Sequence, residues 1–249
     1  MIKPKISIIT VVYNAKEELR ATLQSLLELK YSNLEIVVVD GGSTDGTRQV
    51  IEEYSVNIAH WVSEKDGGIY DAMNKGLRMA TGDYVWFINA GDSVYDPYVL
   101  ESIFKGQEHY ADVYYGDTLI LDTDGTPLGL RRKRLPKRLT WHSLRRGMVV
   151  CHQSVIVKRE IAPPYNLEYK YAADIEWVIE VLKKASEIQN THSILSKFVK
   201  GGTSSVHRRE SLQERYRIMK KYYGTSRTVL SHIRFVFELL FGRPYRKSR

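Results

Sequence analysis

Ile6-Ser7-Ile8-Ile9-Thr10-Val11-Val12 is apolar and β-branched almost without interruption. A run of this length predicts a strand buried on both faces, as in a parallel sheet. A helix is expected next, with Asn14 placed to cap it, Glu17 three residues on, and Leu19, Leu23, Leu26 and Leu27 on one face. The plan then repeats. Glu35-Ile36-Val37-Val38-Val39-Asp40 reads as a second buried strand, Gly41-Gly42-Ser43-Thr44-Asp45-Gly46 as a turn, and Thr47 opens a second helix. Ile69, Ala72, Met73, Gly76, Leu77 and Ala80 keep the spacing of a third amphipathic helix, stopped by Gly82. Tyr84-Val85-Trp86-Phe87-Ile88 is a third buried strand and ends in Asn89-Ala90-Gly91-Asp92. Strand and helix alternating in this way predict an α/β fold with a mostly parallel, Rossmann-like central sheet flanked by helices.

The pattern changes after this point. Asp96-Pro97 is suited to open a short helix reaching Phe104, residues 112–122 read as a strand, and Asp124-Gly125 as a hairpin turn. Residues 131–146 hold eight Arg or Lys and no acid, and are expected to form an irregular connection. Strands are expected at 149–157 and 196–199, with a helix over 171–185 between them. No repeat or low-complexity linker divides the chain, so the two halves are expected to share one core.

Composition narrows the class. The 249 residues, 43% hydrophobic and 27% charged, suffice for one domain or two fused subdomains, and the 17 tyrosines favour wet, amphipathic pockets. A single cysteine, Cys151, excludes an internal disulfide and fits a reducing, cytoplasmic setting. Residues 1–5 run straight into strand-like sequence without the apolar region of a secretory leader. No apolar stretch approaches the roughly twenty residues of a membrane span. The chain carries a net charge of +8, yet fourteen Lys or Arg stand against three Glu from Lys197 onward, so the preceding body is net negative. Residues 206–249 are accordingly expected to form a basic, amphipathic helical extension. Residues 1–205 would then form the main domain, in two halves, 1–125 and 126–205.

In open α/β sheets ligands bind at the carboxyl ends of the strands. Here those ends carry residues 10–14, Asp40 with its glycine-rich turn, and residues 89–92. Each alone reads as a turn or a cap, and together they mark a site. The first strand is followed by neither G-x-G-x-x-G nor G-x-x-x-x-G-K-[ST], which disfavours a dinucleotide dehydrogenase or a P-loop kinase.

Four stretches, taken in order, resemble the family 2 glycosyltransferases of the GT-A fold, and among them the bacterial members that build surface polysaccharides. They are Ser7-Ile8-Ile9-Thr10-Val11-Val12-Tyr13-Asn14, Val39-Asp40-Gly41-Gly42-Ser43-Thr44-Asp45-Gly46-Thr47, Asp66-Gly67-Gly68-Ile69-Tyr70-Asp71-Ala72-Met73-Asn74-Lys75-Gly76 and Phe87-Ile88-Asn89-Ala90-Gly91-Asp92. The resemblance covers about residues 5 to 205 and implies a GT-A catalytic domain over 1–205, with a nucleotide-sugar-binding half, 1–125, and an acceptor-side half, 126–205. It implies an inverting transferase that moves a sugar from a nucleotide-sugar, UDP-linked or alternatively GDP- or dTDP-linked, to a hydroxyl of a glycan or lipid-linked acceptor, aided by a divalent cation, Mg²⁺ or Mn²⁺.

The resemblance also implies roles residue by residue. Asp40 would accept the N–H of a uracil ring, backbone around Thr10, Val12 and Tyr13 would meet its carbonyls, and Asp66 would lie near base or ribose. Lys75 would face the diphosphate, unless it is a solvated helix lysine. Asn89, Ala90, Gly91 and Asp92 align with the family's metal motif, normally of Asp-x-Asp type, so Asp92 alone brings a carboxylate; one carboxylate with substrate phosphates can hold Mg²⁺. His207 is placed to return to the metal, or else to sit on the surface. Asp174, in Tyr171-Ala172-Ala173-Asp174-Ile175-Glu176-Trp177, resembles the family's base, with Ala173 where a Glu is usual and Glu176 as the fallback. Cys151-His152-Gln153-Ser154 resembles a His-Gln strand beside the diphosphate, with a satisfied core histidine as the alternative reading; Cys151 reads as packing.

The basic tail suits an anionic membrane surface, and with it a lipid-linked acceptor, or else a helix packed on the core with a basic outer face. A nucleic-acid partner is not expected, because it would leave the acidic strand ends without a purpose. A glycosidase built on Asp92 and Asp174 and a sugar-nucleotide pyrophosphorylase are the other rivals; the latter lacks its glycine-rich basic signature after the first strand.

Overall fold

The computed structural model describes residues 3–201 and 207–240. The chain runs β1 (Ile6–Val12), α1 (Lys16–Leu27), β2 (Leu34–Asp40), α2 (Thr47–Glu53), β3 (His60–Ser63), α3 (Ile69–Met79), β4 (Tyr84–Phe87), β5 (Ser93–Val94), α4 (Val99–Phe104), β6 (Val113–Leu121), β7 (Pro127–Leu130), β8 (Val155–Lys158), α5 (Ala173–Lys184), β9 (Ile188–Val199), α6 (Arg208–Tyr223) and α7 (Thr225–Leu240). One curled sheet has the strand order β3-β2-β1-β4-β8-β6-β9-β5, with β7 alongside β6.

The α/β fold is as expected, with a central sheet that is mixed rather than purely parallel. Parallel pairs join β3, β2, β1 and β4, but β8 runs antiparallel to both β4 and β6. The reason lies in the connections: parallel neighbours need a crossover, usually helical, and between β7 and β8 the chain offers only irregular backbone and 3-10 turns.

Strand alternation sorts the core into two layers. Ile9, Val11, Val37, Val39, Val85 and Phe87 face α3, α5 and α6, while Ile8, Val12, Ile36, Val38, Trp86 and Ile88 face α1, α2 and α4. Both layers draw on both halves of the chain, through Val113, Val157 and Trp177 in the first and Tyr114, Ile156 and Leu195 in the second. Ile218, Met219 and Tyr223 of α6 belong to the first layer. The first helix beyond residue 206 is therefore packed into the core. Gly76 marks the closest approach of α3 to the sheet, since a Cβ there would overlap Ile9 Cγ2.

Several local expectations shift. Asn14 does not cap α1, which starts at Lys16; it adopts a left-handed φ of 46° and its Oδ1 accepts from Thr44 N at 2.9 Å. It thereby ties the turn after β1 to the turn after β2. Leu27 drifts off the buried face. Helix α4 starts at Val99, two residues after Pro97, with Asp96 Oδ1 accepting from Tyr98 N at 3.0 Å. The strand expected over 149–157 begins only at Val155, because His152–Ser154 forms a 3-10 turn.

Glu35 of β2 ties the bottom of the sheet together. Only 4% exposed, it accepts from Ser7 Oγ at 2.5 Å, Thr81 N at 2.6 Å and Thr81 Oγ1 at 2.7 Å, and pairs with Lys5 Nζ at 2.5 Å. Burial alone would raise its carboxyl, but the bonds from Lys5, Ser7 and Thr81 outweigh it and hold the group at about 2. A depressed folded-state value contributes stability above the ordinary carboxylate range, which is lost as pH falls from about 4.5 toward 2. Glu35→Gln is expected to destabilise the protein by about 1–3 kcal/mol at neutral pH, because buried donors lose their partner. Urea melts at pH 7 and pH 3 check this: the variant should lose less on acidification than the wild type, and parallel losses would refute the role.

Candidate functional site

Strand β1 lies between β2 and β4, so the chain leaves its carboxyl end toward one side and later returns on the other. Helices that depart in opposite directions leave a crevice at this switch point. Its floor is stapled: Gly41 N donates to Val12 O at 3.0 Å, Ala90 N to Val11 O at 3.1 Å, and Thr10 Oγ1 to Ile88 O at 2.8 Å. Thr10 and Val12 are thus buried and committed to the scaffold, whereas Tyr13 is 65% exposed and free to meet a planar ligand.

Asp40 is fully buried. Its carboxylate accepts from Ser43 N at 3.2 Å, from the Ser43 hydroxyl, and from Ser63 Oγ at 2.6 Å. It shapes the turn after β2, and a ligand N–H reaches it only if one of these hydroxyls turns away. Asp66 stands opposite: its Oδ1 accepts from Gly68 N at 2.9 Å, and its Oδ2 lies 2.6 Å from where a Cβ on Gly41 would be. Gly41 makes the room for it. Lys75 Nζ pairs with Glu64 at 2.8 Å beside this loop.

Across the crevice, the turn after β4 is held by α1. Thr22 Oγ1 accepts from Gly91 N at 3.1 Å and donates to Asp92 O at 2.7 Å, while Gly91 supplies the left-handed φ of 92°. Asp92 is 6% exposed and accepts from Gln153 Nε2 at 2.8 Å. Burial pushes its carboxyl up to about 7, only partly offset by the Gln153 bond. A buried carboxylate this poorly compensated suits a cation. Asn89 Oδ1, in the same turn, is buried without a hydrogen-bond partner. One carboxylate and one amide oxygen are hard ligands and fit Mg²⁺ or Mn²⁺ that takes its remaining oxygens from phosphates and water. Among the described residues no group of three or more His, Cys, Asp or Glu is placed to hold a metal alone. His207 stacks on Tyr171 with ring centroids 4.7 Å apart, so it would have to leave that ring to reach a metal.

The third wall is the start of α5. Asp174, half-buried in its first turn, accepts from Tyr70 Oη at 3.3 Å. Tyr70 stacks on Tyr165 (5.5 Å), Tyr165 on Trp177 (5.1 Å), and Phe87 presents its edge to both. Burial first, and then the Asp174 charge, push the Tyr70 phenol well up, so it stays a proton donor. His152 packs near Phe87 with its Nε2 buried and unpartnered, and burial lowers its imidazole, leaving it neutral near pH 7. Cys151 donates to Gln153 Oε1 and its thiol is pushed up by burial, in keeping with packing.

The helical pattern misplaced Tyr70, because it assigned Ile69 to the core. The structure buries Tyr70 and leaves Ile69 37% exposed. Ser63 carried no sequence signal, and Gln153 was marked only by its place in the His-Gln stretch, not by its bond to Asp92, 61 positions away. Glu176, the fallback base, is 5% exposed and accepts from Lys221 Nζ at 2.8 Å, Asn166 Nδ2 at 3.0 Å and Tyr222 Oη at 3.1 Å. All its partners are structural.

Residues 7–162 match the family model described as Glycosyl transferase family 2. A PGL/p-HBAD biosynthesis glycosyltransferase of Mycobacterium tuberculosis is 32% identical over 190 residues, 72% of this chain and 70% of the relative. In structure, the chain resembles S. aureus TarS in complex with UDP-GlcNAc, with a TM-score of 0.72 and 19% identity over 93% of this chain and 73% of that one. The mannosyltransferase PcManGT of Pyrobaculum calidifontis, in complex with GDP-Man and Mn²⁺, has a TM-score of 0.61 and 15% identity over 98% and 77% of the two chains.

The contacts of Glu176 generate a test. Glu176→Ala takes the acceptor from Asn166 Nδ2, while Lys221 is solvated and Tyr222 keeps Glu180, so it is expected to lower stability by about 1–2 kcal/mol. Thermal melts should show the loss, and an undiminished melting temperature would leave Glu176 free for another role.

Proposed function

The chain belongs to glycosyltransferase family 2 and carries its GT-A fold, and from that premise we propose that it transfers a sugar from a UDP-sugar to a hydroxyl of a cell-surface glycan or lipid-linked acceptor, with inversion. The observation that carries this reading is the set of uncommitted buried atoms around the crevice. Asn89 Oδ1, in the turn of Asp92, and His152 Nε2 and Tyr165 Oη, both within reach of the Asp174 charge, are buried without partners. Buried polar atoms are ordinarily satisfied, and a polar, hydroxyl-rich ligand would satisfy these.

The donor enters at the switch point. Tyr13 stacks on the base, Asp40 or Asp66 takes its N–H, and Lys75 exchanges Glu64 for the diphosphate. TarS complexes with UDP-GlcNAc and UDP support uridine, while the GDP-Man complex of PcManGT keeps a GDP-sugar as the alternative. Asp92 and the Asn89 amide oxygen would hold the divalent cation with the diphosphate. That ion supplies neutralisation of the charge developing on the leaving group. On the opposite side, Asp174 takes the proton from the acceptor hydroxyl as its oxygen bonds to the anomeric carbon. The bond from that carbon to the nucleotide oxygen breaks, and its electron pair leaves with UDP. Tyr70 Oη orients the carboxylate throughout.

The names of the mycobacterial relatives support an acceptor on the path to a surface glycolipid. A position on the inner face of the cytoplasmic membrane is part of the proposal. In α7, Val229, Leu230 and Ile233 are 41%, 68% and 56% exposed in a basic segment, the composition of a surface-lying helix. Arg243, Arg246, Lys247 and Arg249 lie outside the described residues. Among the described residues no helix is long and apolar enough to cross a membrane.

Two measurements test the chemistry. Asp174→Asn should bind UDP with wild-type affinity in calorimetry yet turn over about 10² to 10⁴ times more slowly, the range expected when a general base is lost. NMR of the product should show the inverted anomer; retention would rule out a single displacement. Asp92→Ala should keep its circular dichroism spectrum and lose transfer, and wild-type transfer should stop in EDTA. Full activity in EDTA would remove the cation from the reading.

A further inference from the structure

We propose that Glu214 of α6 is a positioning residue for Asp174, setting the place of the acceptor-side carboxylate through the backbone that leads into α5. The inference rests on the reading of Asp174 as the base. The Glu214 carboxylate is 5% exposed and accepts three consecutive amides: Lys170 N at 2.9 Å, Tyr171 N at 2.8 Å and Ala172 N at 3.0 Å. Asp174 follows two residues later.

Helix α5 needs this help from outside. Its N-cap residue is Ala172, which has no side chain able to cap, and no side-chain cap bond is made by that residue. A helix start leaves amides pointing outward that require an acceptor, and a negative charge there is favoured by the helix dipole. Glu214, 42 positions further along the chain, brings the negative charge and accepts the amide of the N-cap residue Ala172, and it fixes the two amides that precede it as well. Three charge-assisted bonds to successive amides fix a short backbone segment far more tightly than one bond to a side chain would. The other contacts of α6 with this region are of a different kind. His207 stacks on the Tyr171 ring, and Lys221 and Tyr222 grip the Glu176 carboxylate further along α5. They dock the helix, whereas Glu214 alone among these contacts holds the main chain before Asp174. A displacement of about 1 Å at a reacting group can reduce rate by roughly a hundredfold, so a lost clamp should appear in turnover.

The experiment compares Glu214→Gln with Lys221→Met in the full-length protein. The carboxamide of Glu214→Gln presents one acceptor oxygen and turns an NH₂ toward the amides, while Lys221→Met loosens the far end of α6 and leaves the clamp intact. Glu214→Gln is expected to lower kcat at least tenfold, with donor KM and UDP affinity within twofold of wild type. Lys221→Met should keep kcat within twofold even if its melting temperature falls. Wild-type kcat in Glu214→Gln overturns the proposal, and so does an equal loss of kcat in Lys221→Met, which would reduce α6 to a docking element. If Glu214→Gln does not fold, Glu214→Asp, which withdraws the charge by one methylene, is judged by the same criteria. Asp174→Asn measured alongside separates the two readings: wild-type turnover there means that the base assignment has failed.

Discussion

The reversal of chain direction around β1 is the constraint on which the rest of the molecule depends. Because β2 and β4 flank β1, their connecting helices leave toward opposite faces and cannot close over the three strand ends. The polar groups there must satisfy one another or meet a ligand. Those of β2 satisfy one another, with Asp40 engaged by Ser43 and Ser63. Those after β4 do not, since Asn89 Oδ1 is unpartnered and Asp92 has one side-chain donor, Gln153. The asymmetry divides the crevice into a satisfied wall after β2 and an unsatisfied one after β4, which the proposed function gives to the base and to the charged diphosphate in turn.

The buried carboxylates show how much a second or third partner matters. Glu35 and Asp92 are both nearly inaccessible, and burial acts on each in the same direction. Glu35, with Lys5, Ser7 and Thr81, is held at about 2, whereas Asp92, with Gln153, is pushed up to about 7. Whether desolvation is offset is set by the number and charge of the donors, of which Glu35 has several and Asp92 few. Glu176 and Glu214 are likewise met by several donors and serve the scaffold. Asp92 is not, and the missing compensation is what a cation bridging to phosphates would provide.

Much of the donor half was legible because its elements are local. Continuous apolar runs gave β1, β2 and β4, and the spacing of Ala72, Met73 and Gly76 placed α3 on the sheet. The acceptor half was less legible. Strand β9 runs from Ile188 to Val199, but a left-handed His192, with a φ of 56°, and register shifts against β6 break its alternation, so only its last residues read as a strand. The stretch before β8 reads as β because Val149 and Val150 are β-branched, yet Gln153 and Ser154 are drawn into a turn by Trp86, Asp92 and Thr118. Tyr70 was misread for a related reason. Periodicity ranks residues by hydrophobicity, while burial of a tyrosine depends on a partner for its hydroxyl, here Asp174, 104 positions away.

The family match ends at residue 162, before Asp174, Glu176 and Glu214. What the chain shares with the family model is thus the stretch from β1 to β8, and the wall proposed to activate the acceptor lies outside it. That wall has little rigidity of its own, because α5 begins without a side-chain cap and follows irregular backbone. Rigidity reaches it from α6, through the Glu214 carboxylate, the Glu176 pairs and the apolar contacts of Ile218, Met219 and Tyr223. Helix α7, with its exposed apolar and basic residues, follows α6 after the single residue Gly224. If α7 lies on a surface as proposed, that contact acts next to the helix proposed to position Asp174, which puts the proposed acceptor wall nearest in the chain to the surface-lying segment.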